Sequence, residues 1–142
     1  MIRSIAKVCC IIGLTALVAG CQMDSRQQIL AMDKSQVALR SVQTRAFDTN
    51  DVTLTVRTVI ATLQDLGFTV DKVDNTLGLV TATKAGNFLL KMTVTVRPRG
   101  DSQVVVRASA QRNIKAVSDA IPYQQFFDSL SQALFLEAHE VT

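Results

Sequence analysis

Between Phe88 and Gln111 apolar and polar residues alternate with a period of two, and on either side the period becomes that of a helix. Leu90, Met92, Val94 and Val96 share one face of a strand over Phe88 to Arg97, with Lys91, Thr93, Thr95 and Arg97 on the other. Gly100-Asp101 forms a hairpin turn. Val104, Val106, Ala108 and Ala110 then repeat the pattern opposite Gln103, Arg107, Ser109 and Gln111. One apolar and one wet face predict an antiparallel sheet covered on a single side. Two shorter strands precede these: Phe68 to Val73, turning through Asn75-Thr76-Leu77-Gly78, and Leu79 to Lys84, followed by a tight turn at Gly86-Asn87.

Val52, Val56, Val59, Ile60, Leu63 and Leu66 follow helical spacing and predict a helix from Asp51 to Leu66. Asp48, Thr49 and Asn50 supply capping side chains before it, and Gly67 stands where a C-terminal cap belongs. Thr and Val are poor intrinsic helix formers, so packing has to hold this helix. Asn113 to Ile121 reads as a connector, with Ser118 or Asp119 capping a last helix and Pro122 tolerated in its first turn. That helix runs from Tyr123 to Ala138 with a stripe of Phe126, Phe127, Leu130, Ala133, Leu134 and Ala138. The stripe has no room for Phe135 and Leu136 as well, so one of them is expected at the surface. Val37 to Phe47 reads as a first strand, bulged near Val42 where its alternation breaks. The predicted order is strand, helix, four strands, helix: an α+β domain over residues 37–142, with both helices on the apolar face of one antiparallel sheet.

The amino terminus has a different pattern. Arg3 and Lys7 precede an apolar run from Val8 to Val18, and Ala19-Gly20 stand just before Cys21. This is the order of a secretory signal, and the run is too short to span a bilayer. Leu17-Val18-Ala19-Gly20-Cys21 resembles the lipobox of bacterial lipoproteins. The resemblance implies cleavage between Gly20 and Cys21, diacylglycerol on the Cys21 thiol and an acyl chain on the freed amine. An ordinary signal peptide with an incidental cysteine, or an uncleaved anchor, are the alternatives. Residues 1–20 are thus the expected signal. Residues 21–36 are the lipidated cysteine and a polar tether, with one short helix around Ser25 to Asp33. Gln22 rather than Asp follows the cysteine, which by resemblance to enterobacterial lipoproteins implies passage to the outer membrane, periplasmic face; the inner membrane is the alternative.

Composition sharpens this. Of three cysteines, Cys9 and Cys10 leave with the signal, so the mature chain has Cys21 alone and no pair for a disulfide. Losing Arg3 and Lys7 lowers the formal charge from +3 to +1, which removes most of the case for a nucleic-acid partner. Six Phe, one Tyr and no Trp, with abundant Val and Thr, fit a core of β-branched strands.

The order of elements, on a lipoprotein, resembles the helix-grip domains of BamC-like outer-membrane lipoproteins. The stretch LQDLGFTVDKVDNTLGLVTATK, Leu63 to Lys84, carries the likeness: helix end, Gly-Phe, strand, acidic turn with Gly, strand. These are turn and core residues, so the resemblance implies a fold and transfers no functional residue.

Candidate chemistry is sparse. The single histidine, His139, has no second histidine or free thiol beside it to share a metal. Asp71 and Asp74 bracket a hairpin and read as turn residues rather than a catalytic pair. No nucleophile elbow, phosphate loop or dinucleotide fingerprint is present, and neither catalysis nor a cofactor beyond the acyl chains is expected. Arg40, Arg45 and Arg57 read as exposed charge paired with Asp48 or Asp51. Arg97, Arg99 and Arg107 gather across the Gly100-Asp101 hairpin, where they offer a contact for an acidic partner or lipid head groups. The expected function is a non-enzymatic accessory module of the cell envelope with a protein partner. The alternative is a carrier of a small apolar ligand or lipid, held in a cavity between helix and sheet.

Overall fold

The computed structural model describes residues 35–140, with side chains through Glu137. The expected signal, Cys21 and all of the tether up to residue 34 lie outside them. The sheet and the helices covering it belong to one compact unit, Leu39–Thr142.

The fold is α+β, as the period change predicts. Residues 35–42 are helical (α1), followed by β1 (Thr44–Phe47), α2 (Val52–Asp65), β2 (Thr69–Asp74) and β3 (Leu79–Lys84). Next come β4 (Leu90–Arg99), β5 (Gln103–Arg112), the two-residue β6 (Lys115–Ala116) and α3 (Ile121–Glu140). The antiparallel sheet has the order β1-β5-β4-β3-β2, and β6 also pairs with β5. Val80, Ala82, Met92, Val94, Val96, Val104, Val106, Ala108 and Ala110 all point to one side, where α2 and α3 cover them. Val56, Val59 and Leu63 of α2 and Tyr123, Phe126, Phe127 and Leu130 of α3 complete the core. Phe135 and Leu136 are both exposed.

Local chemistry explains the helix ends. The Asp51 carboxylate accepts from Leu54 N–H at 2.8 Å and caps α2. Gly67, at φ +82°, closes it, and its N–H reaches the Gln64 carbonyl at 2.9 Å. The Asp119 carboxylate takes the first N–H of α3, that of Ile121, at 3.1 Å. In α2 three threonines turn inward. Thr55 and Thr58 return their hydroxyls to the carbonyls of Asp51 and Leu54, whereas the buried Thr62 hydroxyl has no partner among the described residues.

Three expectations need correction. The first strand is not Val37 to Phe47: residues 35–42 are helical and only Thr44–Phe47 pair with β5. Ala38, Leu39 and Arg40 are strong helix formers, and Leu39 and Val42, three apart, lie against the core. The broken alternation at Val42 therefore marks a helix end. The bulge lies instead in β2, where pairing with β3 shifts between Val70 and Lys72. Gly86-Asn87 is not a two-residue turn either, because five residues separate β3 from β4 and neither of the two has a positive φ.

The outer edge of β5 is closed piecewise. β1 pairs with Val104 to Arg107, and β6 pairs with Gln111 and Arg112. Between them Ala108 N–H donates to the Gln43 carbonyl (2.8 Å), and Ala110 N–H donates to the Tyr123 hydroxyl (3.1 Å). That buried hydroxyl also accepts from Gln43 Nε2 (3.1 Å) and donates to the Val117 carbonyl (2.8 Å). One phenol thus joins α3, β5, the connector and the residue before β1. Tyr123→Phe is expected to cost about 1–3 kcal/mol in urea unfolding, since it strands several buried polar groups at once. An unchanged midpoint would show that they find other partners.

Candidate binding surface

The face of the sheet away from the helices is open. Strand register decides which side chains meet there. Thr95 and Thr44 flank Arg107 on the two neighbouring strands, Val105 stands opposite Arg97, and Ser109 opposite Thr93. Arg97 and Arg107 are therefore diagonal neighbours, at about the 7–8 Å typical of such pairs. Together Thr44, Thr93, Thr95, Arg97, Val105, Arg107 and Ser109 line a shallow depression of about 570 Å³. Arg99 lies two residues further along β4, opposite Gln103 and outside this lining. Of the three expected arginines, the fold brings two together and leaves the third beyond them.

Charge on this face is one-sided. β1, β4 and β5 contain no acidic residue. Among the described residues the one ion pair within 4 Å is Arg45–Asp128, so Arg97 and Arg107 have no carboxylate partner. The outward acids stand on β2 at the far edge of the sheet, and both are engaged. Asp71 accepts from the Thr83 hydroxyl, and Asp74 accepts from Leu77 N–H at 3.0 Å within its turn. Two unpaired guanidinium forks beside hydroxyl groups present donors suited to a carboxylate or a phosphate.

The other sequence candidates fall elsewhere. Arg45 points to the helix side, over the Phe127 ring at 5.1 Å, and bonds Asp128 (3.3 Å) and the Ser131 hydroxyl (3.2 Å). It clasps β1 to α3, so its expected pairing with Asp48 or Asp51 does not hold. Asp48 accepts from Gln103 Nε2 instead, and Asp51 is the cap of α2. Arg40 and Arg57 are exposed on α1 and α2. His139 falls in the last turn of α3, and its side chain lies outside the described residues. Sequence reasoning misses the hydroxyls. Thr93, Thr95 and Ser109 are legible as outward-facing, but Thr44 reaches Arg107 only through the non-local pairing of β1 with β5.

Among the described residues no helix is long and apolar enough to cross a membrane. Comparison with known protein families and with curated proteins finds no significant match to this chain.

Proposed function

We propose that this chain is a lipid-anchored, periplasm-facing lipoprotein of the bacterial envelope whose domain is a non-enzymatic accessory module. It binds an envelope protein through the open face of its sheet. The anchoring half rests on the sequence from Arg3 to Cys21 and on the lack of any other cysteine in the mature chain. Gln22 favours the outer membrane as the destination. The binding half rests on one observation: Arg97 and Arg107, unpaired and side by side in a hydroxyl-lined depression with no acid on the strands around them. Such a face presents a one-sided positive field, ready to receive an acidic group.

The carrier reading has less support. Fully buried Val, Phe and Tyr side chains fill the space between helices and sheet. The two described depressions lie on the outer face and at the turn between β5 and α3.

Charge reversal tests the module. Arg97→Glu with Arg107→Glu, in the full lipidated chain, is expected to reduce recovery of a stoichiometric partner from membranes by at least about tenfold, equivalent to about 1.4 kcal/mol. The two sites are exposed, so the fold stays intact by thermal melting. Equal recovery would remove this face from consideration. A bound lipid with no protein partner would favour the carrier.

A further inference from the structure

One end of the sheet carries apolar side chains that the core does not use. In the five-residue loop between β3 and β4, Phe88 and Leu89 are 49% and 50% exposed. In the turn between β5 and β6, Ile114 is 92% exposed. The two loops are pinned together. Asn113 N–H donates to the Leu89 carbonyl at 2.8 Å, and Leu89 N–H donates to Asn113 Oδ1 at 3.3 Å. Asn113 has φ +55°, a conformation asparagine tolerates well, and it sets Ile114 at the apex of the turn. The three exposed side chains therefore share one end of the sheet, the tip, beside a depression of about 430 Å³ lined by Ile114, Lys115 and Asp119 among others.

Cations surround this tip. The Arg112 guanidinium lies 4.6 Å from the centre of the Phe88 ring. Lys115 pairs with Arg112 across the turn, and Lys91 faces outward opposite Gln111. None of the three is in an ion pair among the described residues. The nearby Asp119 is turned to Ile121 N–H.

We propose that this tip inserts into the surface of an anionic phospholipid bilayer. Phe88, Leu89 and Ile114 enter the boundary between head groups and acyl chains, and Lys91, Arg112 and Lys115 contact the phosphates. The chemistry is that of interfacial anchors, in which apolar burial and attraction to anionic lipid act together. Unpaired cations beside exposed apolar side chains match an anionic bilayer, which offers negative charge at its surface and an apolar phase just beneath. The inference rests on the lipoprotein reading, because the acyl chains at Cys21 supply the high local concentration that lets so small a contact hold. Membrane contact by the tip orients the domain. The arginine depression is then held at a fixed angle to the bilayer.

The test uses the mature lipidated chain carrying Ile114→Cys, labelled with an environment-sensitive nitrobenzoxadiazole dye. Acylation blocks the Cys21 thiol, so position 114 alone reacts. The protein is reconstituted into vesicles of phosphatidylcholine, with or without phosphatidylglycerol. A blue shift of emission is expected with phosphatidylglycerol, smaller without it, and lost when Lys91→Glu and Lys115→Glu are added. The same dye at Asp101→Cys, in the opposite hairpin, is expected to show no shift. Emission at 114 that stays water-like in protein that floats with the vesicles overturns the tip alone. An equal shift at 101 also overturns it. So does a shift that grows with protein density and ignores lipid charge, which would mean that a second copy covers the tip. Protein that fails to float overturns the lipid anchor and the tip together.

Discussion

Gly78→Ala is expected to destabilise the domain by about 2–5 kcal/mol, a large part of the stability of a protein this size. Two costs add. Gly78 has φ +59°, where a residue with a Cβ pays about 1–2 kcal/mol. A Cβ at that position would also lie 2.3 Å from the Val96 carbonyl oxygen. That oxygen belongs to the backbone of β4, and Val96 N–H already donates to the Gly78 carbonyl at 2.8 Å. The turn therefore lies directly on the strand and has no rotamer by which to yield, so a further 1–3 kcal/mol or so of overpacking follows. Gly100 is the built-in comparison. Its φ is +61°, but a Cβ there would meet no heavy atom within 4 Å. Gly100→Ala should cost only the conformational part, and urea unfolding of the two variants separates the terms. Equal losses would show that the approach to Val96 contributes nothing. Arg97 follows Val96 directly, so a displaced turn should also disturb the arginine depression.

Cys21→Ser is expected to abolish membrane attachment and leave the precursor uncut. Thioether-linked diacylglycerol is the first modification in the scheme that the lipobox implies, and cleavage depends on it. Two or three acyl chains, at about 0.8 kcal/mol per buried CH₂, make anchoring effectively permanent, whereas no single residue of the domain approaches that. Radiolabelled palmitate and the electrophoretic size of the chain report the outcome. A variant that matures and takes up label normally would sink the lipoprotein reading, and the two proposals built on it would lose their common footing. The tip, by contrast, predicts residual salt-sensitive affinity for anionic vesicles only as a supplement to the anchor.

The parts of the structure that are legible in the sequence are those that local periodicity writes. The alternation from Leu90 to Ala110 decides which residues of β4 and β5 face the helices, and all seven of Met92, Val94, Val96, Val104, Val106, Ala108 and Ala110 are buried. Helix α2 is legible from its valines and leucines and from Gly67 at its end, but its N-terminal cap is Asp51 and none of the expected Asp48, Thr49 and Asn50. Where two periods compete over a few residues the pattern misleads, as between 37 and 47. Where a contact spans the chain nothing local signals it: Arg45 finds Asp128, 83 residues away, and Gln43 finds Tyr123, 80 residues away. In the sequence Tyr123 is only the start of a helix, because a phenol's role depends on which backbone groups lack partners. The arginine face is partly legible, since Arg97 and Arg107 share a predicted face. Its floor needs the register that the Gly100 turn and β1 impose. The apolar tip is hidden differently, because periodicity absorbs Phe88 into a strand and leaves Ile114 in a connector.

The bulge at Asp71 has a consequence for life at a crowded surface. A sheet ends in strands whose unpaired N–H and C=O groups can recruit another chain, and the proposed lipid anchor would concentrate copies in two dimensions. On one side of this sheet β1 is four residues long and β6 two, too short to template much. On the other side β2 is the longer edge, and there the bulge breaks the pairing register while Lys72 places a charge beside it. Neighbouring copies meeting edge to edge would find no regular ladder to extend. The irregularity in β2 thus works against edge-to-edge pairing, and straightening it by deleting Asp71 is expected to raise self-association in analytical ultracentrifugation.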